Sequence, residues 1–168
     1  MIKDLLILTI FPCAMALAAA TDLFTMTLPN RLSVVLAVGF FVVAPLVGLG
    51  WSDIGLHIGL ALAALAITFA FFSFGWIGGG DAKLFAATCL WVGPGAILPY
   101  AVNTALLGGA LTLLLIFWRG LPLPALLTAQ GWLLRLHDPK TGVPYGIALA
   151  GAGLLVYPDT PFMAALGG

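Results

Sequence analysis

Glutamate is missing from this chain of 168 residues, and the charged residues that remain make up only 7% of it. An ordinary soluble domain carries about 25%. Six Lys and Arg balance six Asp, so the formal net charge is zero. The clustered basic surface that nucleic acid requires is absent, and no nucleic-acid partner is expected. Cysteine occurs twice, as Cys13 and Cys89, both inside apolar runs and neither part of a Cys-x-x-Cys pair. Zinc-ribbon and thioredoxin-type sites are thereby unsupported, which leaves two small packing residues. His57 and His137 have no partner at metal-ligand spacing. No metal and no organic cofactor is expected.

Apolar residues fill the space instead, at 62% of the total. A soluble fold of this size has too little interior to hide so much apolar surface, so the solvent is lipid. Apolar runs fall at residues 5–21, 32–50, 54–77, 82–98, 99–118 and 143–163. At about 20 residues per crossing, six helices consume roughly 120 positions and leave only short joints. The expected fold is all-α, a polytopic membrane protein with about six transmembrane helices. A single domain over residues 1–168 has no room for a soluble one. The fourth and fifth runs are divided only by Gly93-Pro94-Gly95 and the residues up to Pro99. A fourth helix ending at Val92 would hold about 11 residues and cover roughly 16 Å. Either it continues past Pro94, or its cytosolic end begins within the membrane. Lys3, an apolar stretch and Ala18-Ala19-Ala20 look like a secretory signal. The run is long for one and further spans follow directly, so it is read as the first helix.

With six spans the joints alternate sides. Arg31, Lys83, Arg119, Arg135 and Lys140 then lie together, and Lys3 alone lies opposite. The positive-inside bias makes the first side cytosolic and places both termini outside. In the fifth joint, Leu126-Leu127, Trp132-Leu133-Leu134 and Leu136 are interleaved with Gln130, Arg135 and His137. That pattern describes a short helix lying in the interface, with Trp132 at headgroup level. Asn103, inside an apolar run, reads as an interhelical hydrogen-bond partner, and Gly55-x-x-x-Gly59 as a close packing face.

Among the six Asp, Asp4, Asp53, Asp138 and Asp159 read as solvated charges near membrane ends. Asp22 and Asp81 differ, because each bounds an apolar run and both fall on the cytosolic side. A carboxylate at membrane depth is costly to ionise and is a functional residue by default. Two carboxylates brought together share one proton, because like charges a few ångströms apart cannot both ionise cheaply. The ionised member can take a proton from water while the protonated one polarises a peptide carbonyl. Asp81 ends the run Gly78-Gly79-Gly80-Asp81, whose glycines let a substrate backbone pass close to the carboxylate. Asp22 is followed, after six residues, by Pro29-Asn30, which start the second helix. Lys83 either tunes a neighbouring carboxylate or anchors its helix at the headgroups.

Together these elements resemble the prepilin peptidases, membrane aspartyl proteases that process type IV pilin precursors. The matching residues are Asp22 with Pro29-Asn30, Gly78-Gly79-Gly80-Asp81-Ala82-Lys83-Leu84, and Pro144-Tyr145-Gly146 at the start of the last span. The resemblance implies that Asp22 and Asp81 are the catalytic pair. It implies a multi-pass enzyme of the bacterial inner membrane that cuts a prepilin or pseudopilin after glycine at the cytosolic face. Longer members carry a cytosolic insertion with two Cys-x-x-Cys pairs and methylate the new amino terminus. This chain has no such cysteines and looks like the short form associated with Flp or tight-adherence pili, which implies cleavage without methylation. The loop after Asp22 reads Leu23-Phe24-Thr25-Met26-Thr27 where family members often carry basic residues.

A proton-coupled transporter or channel, with the two Asp as ion ligands, is the rival from another class. Such proteins place carboxylates near the midplane on interrupted helices or repeats. Here they bound their runs on one side. Presenilin-like proteases share Gly-x-Gly-Asp but carry Tyr-Asp in an earlier helix, which this chain lacks. Oligomeric state is not set by these features.

Overall fold

Turn residues decide where each helix stops. The computed structural model describes residues 1–124 and 127–166. Among them α1 (Ile2–Thr25), α2 (Asn30–Leu46), α3 (Trp51–Ser73), α4 (Gly79–Arg119), α5 (Gly131–His137), α6 (Gly146–Val156) and α7 (Pro161–Ala164) follow in order. Helix α1 ends where Met26 turns left-handed at φ 55°, its N–H held by the Asp22 carbonyl at 2.8 Å. Pro29, with its φ fixed at −63°, then opens α2. Helix α6 runs into α7 through a 3-10 turn, Tyr157–Asp159.

Helix α4 carries 41 residues. Straight, it would measure about 62 Å, twice the roughly 30 Å thickness of a bilayer core. It folds back instead. Gly93 sits in its middle at φ 65° and ψ −171°, which a residue with a Cβ resists. Phe85 stacks on Tyr100 with ring centroids 5.0 Å apart. Asp81 and Thr112, which a straight helix would separate by about 46 Å, line one cavity. The two halves of α4 therefore cross the membrane separately. Four helices are long and apolar enough to span, and Asn30–Leu46 is a shorter apolar helix. With α4 counted as two crossings, the protein is a six-span, all-helical membrane protein.

The reversal falls at Gly93 and not, as the apolar runs imply, after residue 98. Pro94 opens the second half without delay, a position it favours. Because Pro94 has no N–H, the Leu90 carbonyl loses its helical partner. His57 replaces it, with Nδ1 2.6 Å from that oxygen. A carbonyl only accepts, so Nδ1 carries the proton. The imidazole lies against Gly93, where a Cβ would collide with its ring. His57 is thus a buried structural residue.

Helix α3 serves as a ruler for this short first half. Gly93 meets His57, six residues beyond Trp51, whereas the Thr68 hydroxyl reaches the Ala82 carbonyl at 3.4 Å and Gly79 meets Phe72. The Asp81 end of α4 is therefore level with the end of α3. Its far end stops short by about 9 Å. The missing length lies opposite the side anticipated for a truncated fourth helix, and a recess of about 570 Å³ occupies it.

An aromatic cluster fills the core beside that reversal. Phe11 stacks on Tyr157 at 4.4 Å, and Trp91 packs on Phe162 at 4.8 Å. The Trp91 indole donates to the Leu36 carbonyl at 2.8 Å and the Tyr157 hydroxyl to the Ile7 carbonyl at 2.9 Å. Outward, side chains such as Leu8, Val38, Phe41, Leu62, Phe69 and Leu113 are exposed, an apolar surface that only lipid satisfies. Gly55 and Gly59 face outward too, with nothing within 4 Å of a methyl group at either, so they do not pack helices within this chain. Asn103 is partly buried and its side chain makes no hydrogen bond among the described residues, contrary to the role expected for it. The interfacial helix of the fifth joint is present as α5. Leu126 lies outside the described residues.

Replacing His57 by Phe keeps a ring against Phe40 but leaves the Leu90 carbonyl unpaired. An unsatisfied buried carbonyl costs about 1–3 kcal/mol. Unfolding of the purified protein by SDS titration should show a loss of that size, and an unchanged midpoint would refute the assignment.

Candidate active site

Three helix ends meet on the side of the molecule opposite the aromatic cluster. Helix α1 supplies Asp22 one turn before its end. Helix α4 supplies Asp81 in its first turn, and α6 begins beside them at Gly146. Asp22 is buried, with 5% of its surface exposed, and Asp81 is partly buried. Both line a cavity of about 690 Å³ together with Met26, Trp76, Gly78, Thr112 and Tyr145, and its neighbour of about 320 Å³. Their charges are close enough to interact. The two Asp singled out in the sequence are therefore brought together, although they lie 59 positions apart (81 − 22).

Backbone amides hold both carboxylates. The Gly146 N–H donates to Asp22 Oδ2 at 2.6 Å. On the other helix the Gly78 N–H interacts with Asp81 three residues later, the backward half of a capping box. Each carboxylate thus sits at a helix N-terminus, where amide dipoles favour negative charge. The second carboxylate oxygen of Asp22, Oδ1, has no hydrogen-bond partner among the described residues. It remains free for a water molecule or a substrate peptide group.

The remaining motif residues shape this arrangement. Gly80 packs on Leu28, so close that a Cβ would stand 2.9 Å from the leucine Cβ, and Leu28 also borders Gly146. The linker between α1 and α2 is thereby wedged between the two helix starts. Lys83 donates to the Asn30 side chain at 2.9 Å, which ties the start of α4 to the start of α2. It does not pair with a carboxylate, the first of the two roles anticipated for it. Pro29, beside Asn30, sets the start of α2. Pro144 is buried, and the Tyr145 hydroxyl donates to the Thr104 carbonyl at 3.4 Å. Gly146 is small for a reason, since a Cβ there would stand 2.8 Å from Asp22 Oδ2.

Other contacts around the site carried no sequence signal beyond their charge. Arg135 donates to the Phe24 carbonyl at 3.0 Å, which caps the end of α1 beside Asp22. Trp132 meets Phe24 edge-on at 5.2 Å, so α5 leans on α1. Arg119 reaches the chain between α5 and α6. His137 bonds the Leu121 carbonyl at 2.9 Å and lies against Trp118, away from the carboxylates. Among the described residues no three His, Cys, Asp or Glu side chains gather to hold a metal.

A helical membrane protein with two carboxylates at the mouth of one cavity has the parts for hydrolysis at a membrane boundary. Residues 9–114, more than half of the chain, match the model of the type IV leader peptidase family, and the chain belongs to that family. It is accordingly a membrane-bound peptidase. The matched region includes Asp22 and Gly78 to Asp81 and ends before Arg119 and Pro144-Tyr145-Gly146. No curated protein and no solved structure matches the chain.

Gly146→Ala places a methyl group against Asp22 and should shift that carboxylate by a fraction of an ångström or more. Misplacement on the order of 1 Å costs about a hundredfold in rate. Leader-peptide cleavage should fall at least tenfold on that scale while the variant accumulates in membranes as wild type does. Cleavage at the wild-type rate would show that the contact is dispensable.

Proposed function

We propose that this protein is an aspartyl endopeptidase that removes the leader of type IV, Flp-like prepilins or pseudopilins. The observation that carries the reading is that Asp22 and Asp81 line the same cavity. In the reaction, the ionised carboxylate takes a proton from water as the water oxygen attacks the peptide carbonyl carbon. The protonated carboxyl donates to the carbonyl oxygen. Collapse of the tetrahedral species breaks the C–N bond, and the amine leaves with a proton. Which Asp begins protonated belongs to the pair and not to either residue.

Arg31, Lys83, Arg119, Arg135 and Lys140 all lie in the end turns or joints of helices on the side of the two Asp, and the positive-inside bias makes that side cytosolic. The substrate's apolar helix would lie in the bilayer beside the enzyme, with its leader junction at the cavity. A glycine before the cut fits this picture, because a helix must open locally before the carboxylates can reach a peptide bond. Cleavage without methylation is what the resemblance to the short family form, without paired cysteines, supports.

The test is co-expression with a prepilin, followed as a gel shift, alongside Asp22→Asn and Asp81→Asn. Wild type should cut, and each variant should accumulate in the membrane with activity reduced by about four orders of magnitude or to background. Processing by both variants would sink the aspartyl mechanism. An uncut substrate with wild-type enzyme would reject the assigned substrate and favour an ion-coupled role for the two Asp.

A further inference from the structure

The second half of α4 presents Thr104, Gly108, Thr112 and Arg119 on one face, since these spacings return to within about 80° around a helix. Each touches the site or the segment that leads into α6. Thr104 accepts from the Tyr145 hydroxyl at 3.4 Å, and Gly108 lies under the Tyr145 ring, where a Cβ would collide with it. Thr112 lines the cavity with Asp22 and Asp81. Arg119 closes the row. Its Nε donates to the Leu136 carbonyl at 2.8 Å, and one terminal nitrogen donates to the Gly142 carbonyl at 2.8 Å and the Thr141 hydroxyl at 3.3 Å. Thr141 in turn bonds the carbonyls of Arg135 at 2.6 Å and Asp138 at 2.8 Å.

From this geometry we infer that Arg119 is a positioning residue, whose clamp on Leu136, Thr141 and Gly142 fixes the segment delivering the Gly146 N–H to Asp22. Only three residues separate Gly142 from Gly146, and two of them are held, Pro144 by burial and Tyr145 by the α4 rail. So short a piece of chain, pinned at Gly142, has little freedom at Gly146. The guanidinium suits the task because its planar fork serves several carbonyls at once, which a lysine cannot do. Gly142, Val143 and Tyr145 also wall the cavity, so the same clamp sets the shape of its rim. The arginine touches neither carboxylate and acts on the chemistry only through the peptide it holds.

The catalytic consequence rests on the peptidase reading above, whereas the clamp itself does not. Two measurements separate them. The first is amide hydrogen exchange across residues 142–147 in wild type, Arg119→Ala and Arg119→Lys, purified in detergent. Alanine should speed exchange there by tenfold or more without change in α2 or α3, and lysine should give an intermediate rate. The second is cleavage kinetics on a purified prepilin. In Arg119→Ala, kcat should fall by roughly tenfold to a hundredfold with KM within about twofold, and lysine should recover part of the loss. Unchanged exchange in the alanine variant overturns the clamp, and so does a rise in KM with kcat preserved. If Arg119→Ala does not fold, Arg119→Lys decides alone, and wild-type exchange in it rejects the inference. A wild type inactive on the prepilin would reject the assigned substrate and leave the exchange result standing.

Discussion

Asp22 and Asp81 line one cavity at the ends of apolar helices, and among the described residues no cation pairs with either of them. Ionised groups at such a depth are costly unless something compensates them. Among the described residues the ion pair at Met1 and Asp4, 2.8 Å long, lies at the other end of α1. Compensation at the dyad comes from the backbone. Gly146 opens α6 and gives its N–H to Asp22, and Gly78 caps α4 and offers its N–H to Asp81. Two helix N-termini therefore replace the basic side chains that a solvated site would employ.

That solution dictates the topology. Helices α4 and α6 must both start at the dyad and run away from it, so they lie parallel in the bundle. Parallel neighbours need a return crossing between them. The second half of α4 supplies it, which is why the helix reverses at Gly93 instead of continuing. Reversal inside a membrane leaves a backbone carbonyl exposed, and lipid has no donor to offer. His57 meets that demand at Leu90. The returning half then serves a second purpose, carrying Thr104, Gly108 and Arg119 past the segment that precedes α6. One break in one helix thus links the core packing at one end to the order of the site at the other.

Hydropathy and breaker residues made most of this fold readable from the sequence, because a spanning helix is a long local pattern. The six crossings, the shared side of Asp22 and Asp81, and the short helix in the fifth joint all follow from such patterns. Gly93-Pro94-Gly95 marked the reversal, but not which residue makes it, since Gly and Pro both interrupt helices and only the backbone angles choose between them. Contacts across long sequence separations were illegible. The Gly146 amide on Asp22 spans 124 positions, and a backbone N–H leaves no trace in residue type. Lys83 looked like a partner for a carboxylate because charge is visible and direction is not. Its bond to Asn30 depends on which face of α4 it occupies relative to α2. His57 was legible only as a histidine without a metal-ligand partner, while its task depended on a proline 37 positions later (94 − 57).

The basic residues near the site show a common restraint. Lys83 bonds the Asn30 side chain, Arg135 the Phe24 carbonyl, and Arg119 the carbonyls of Leu136 and Gly142. Each donates to a neutral acceptor, so these positive charges order backbone and, at Asn30, a neutral side chain. This separation has a chemical motive under the aspartyl reading. A cation within about 4–6 Å of a carboxylate favours its charged form. Paired with either Asp, it would work against the shared proton on which acid–base division between two carboxylates depends. Amide donors at helix starts support negative charge without adding a full positive charge beside it. The arrangement keeps basic side chains near the site while keeping their charge off the two Asp, and under the proposed role Arg119 performs its positioning through peptide carbonyls for the same reason.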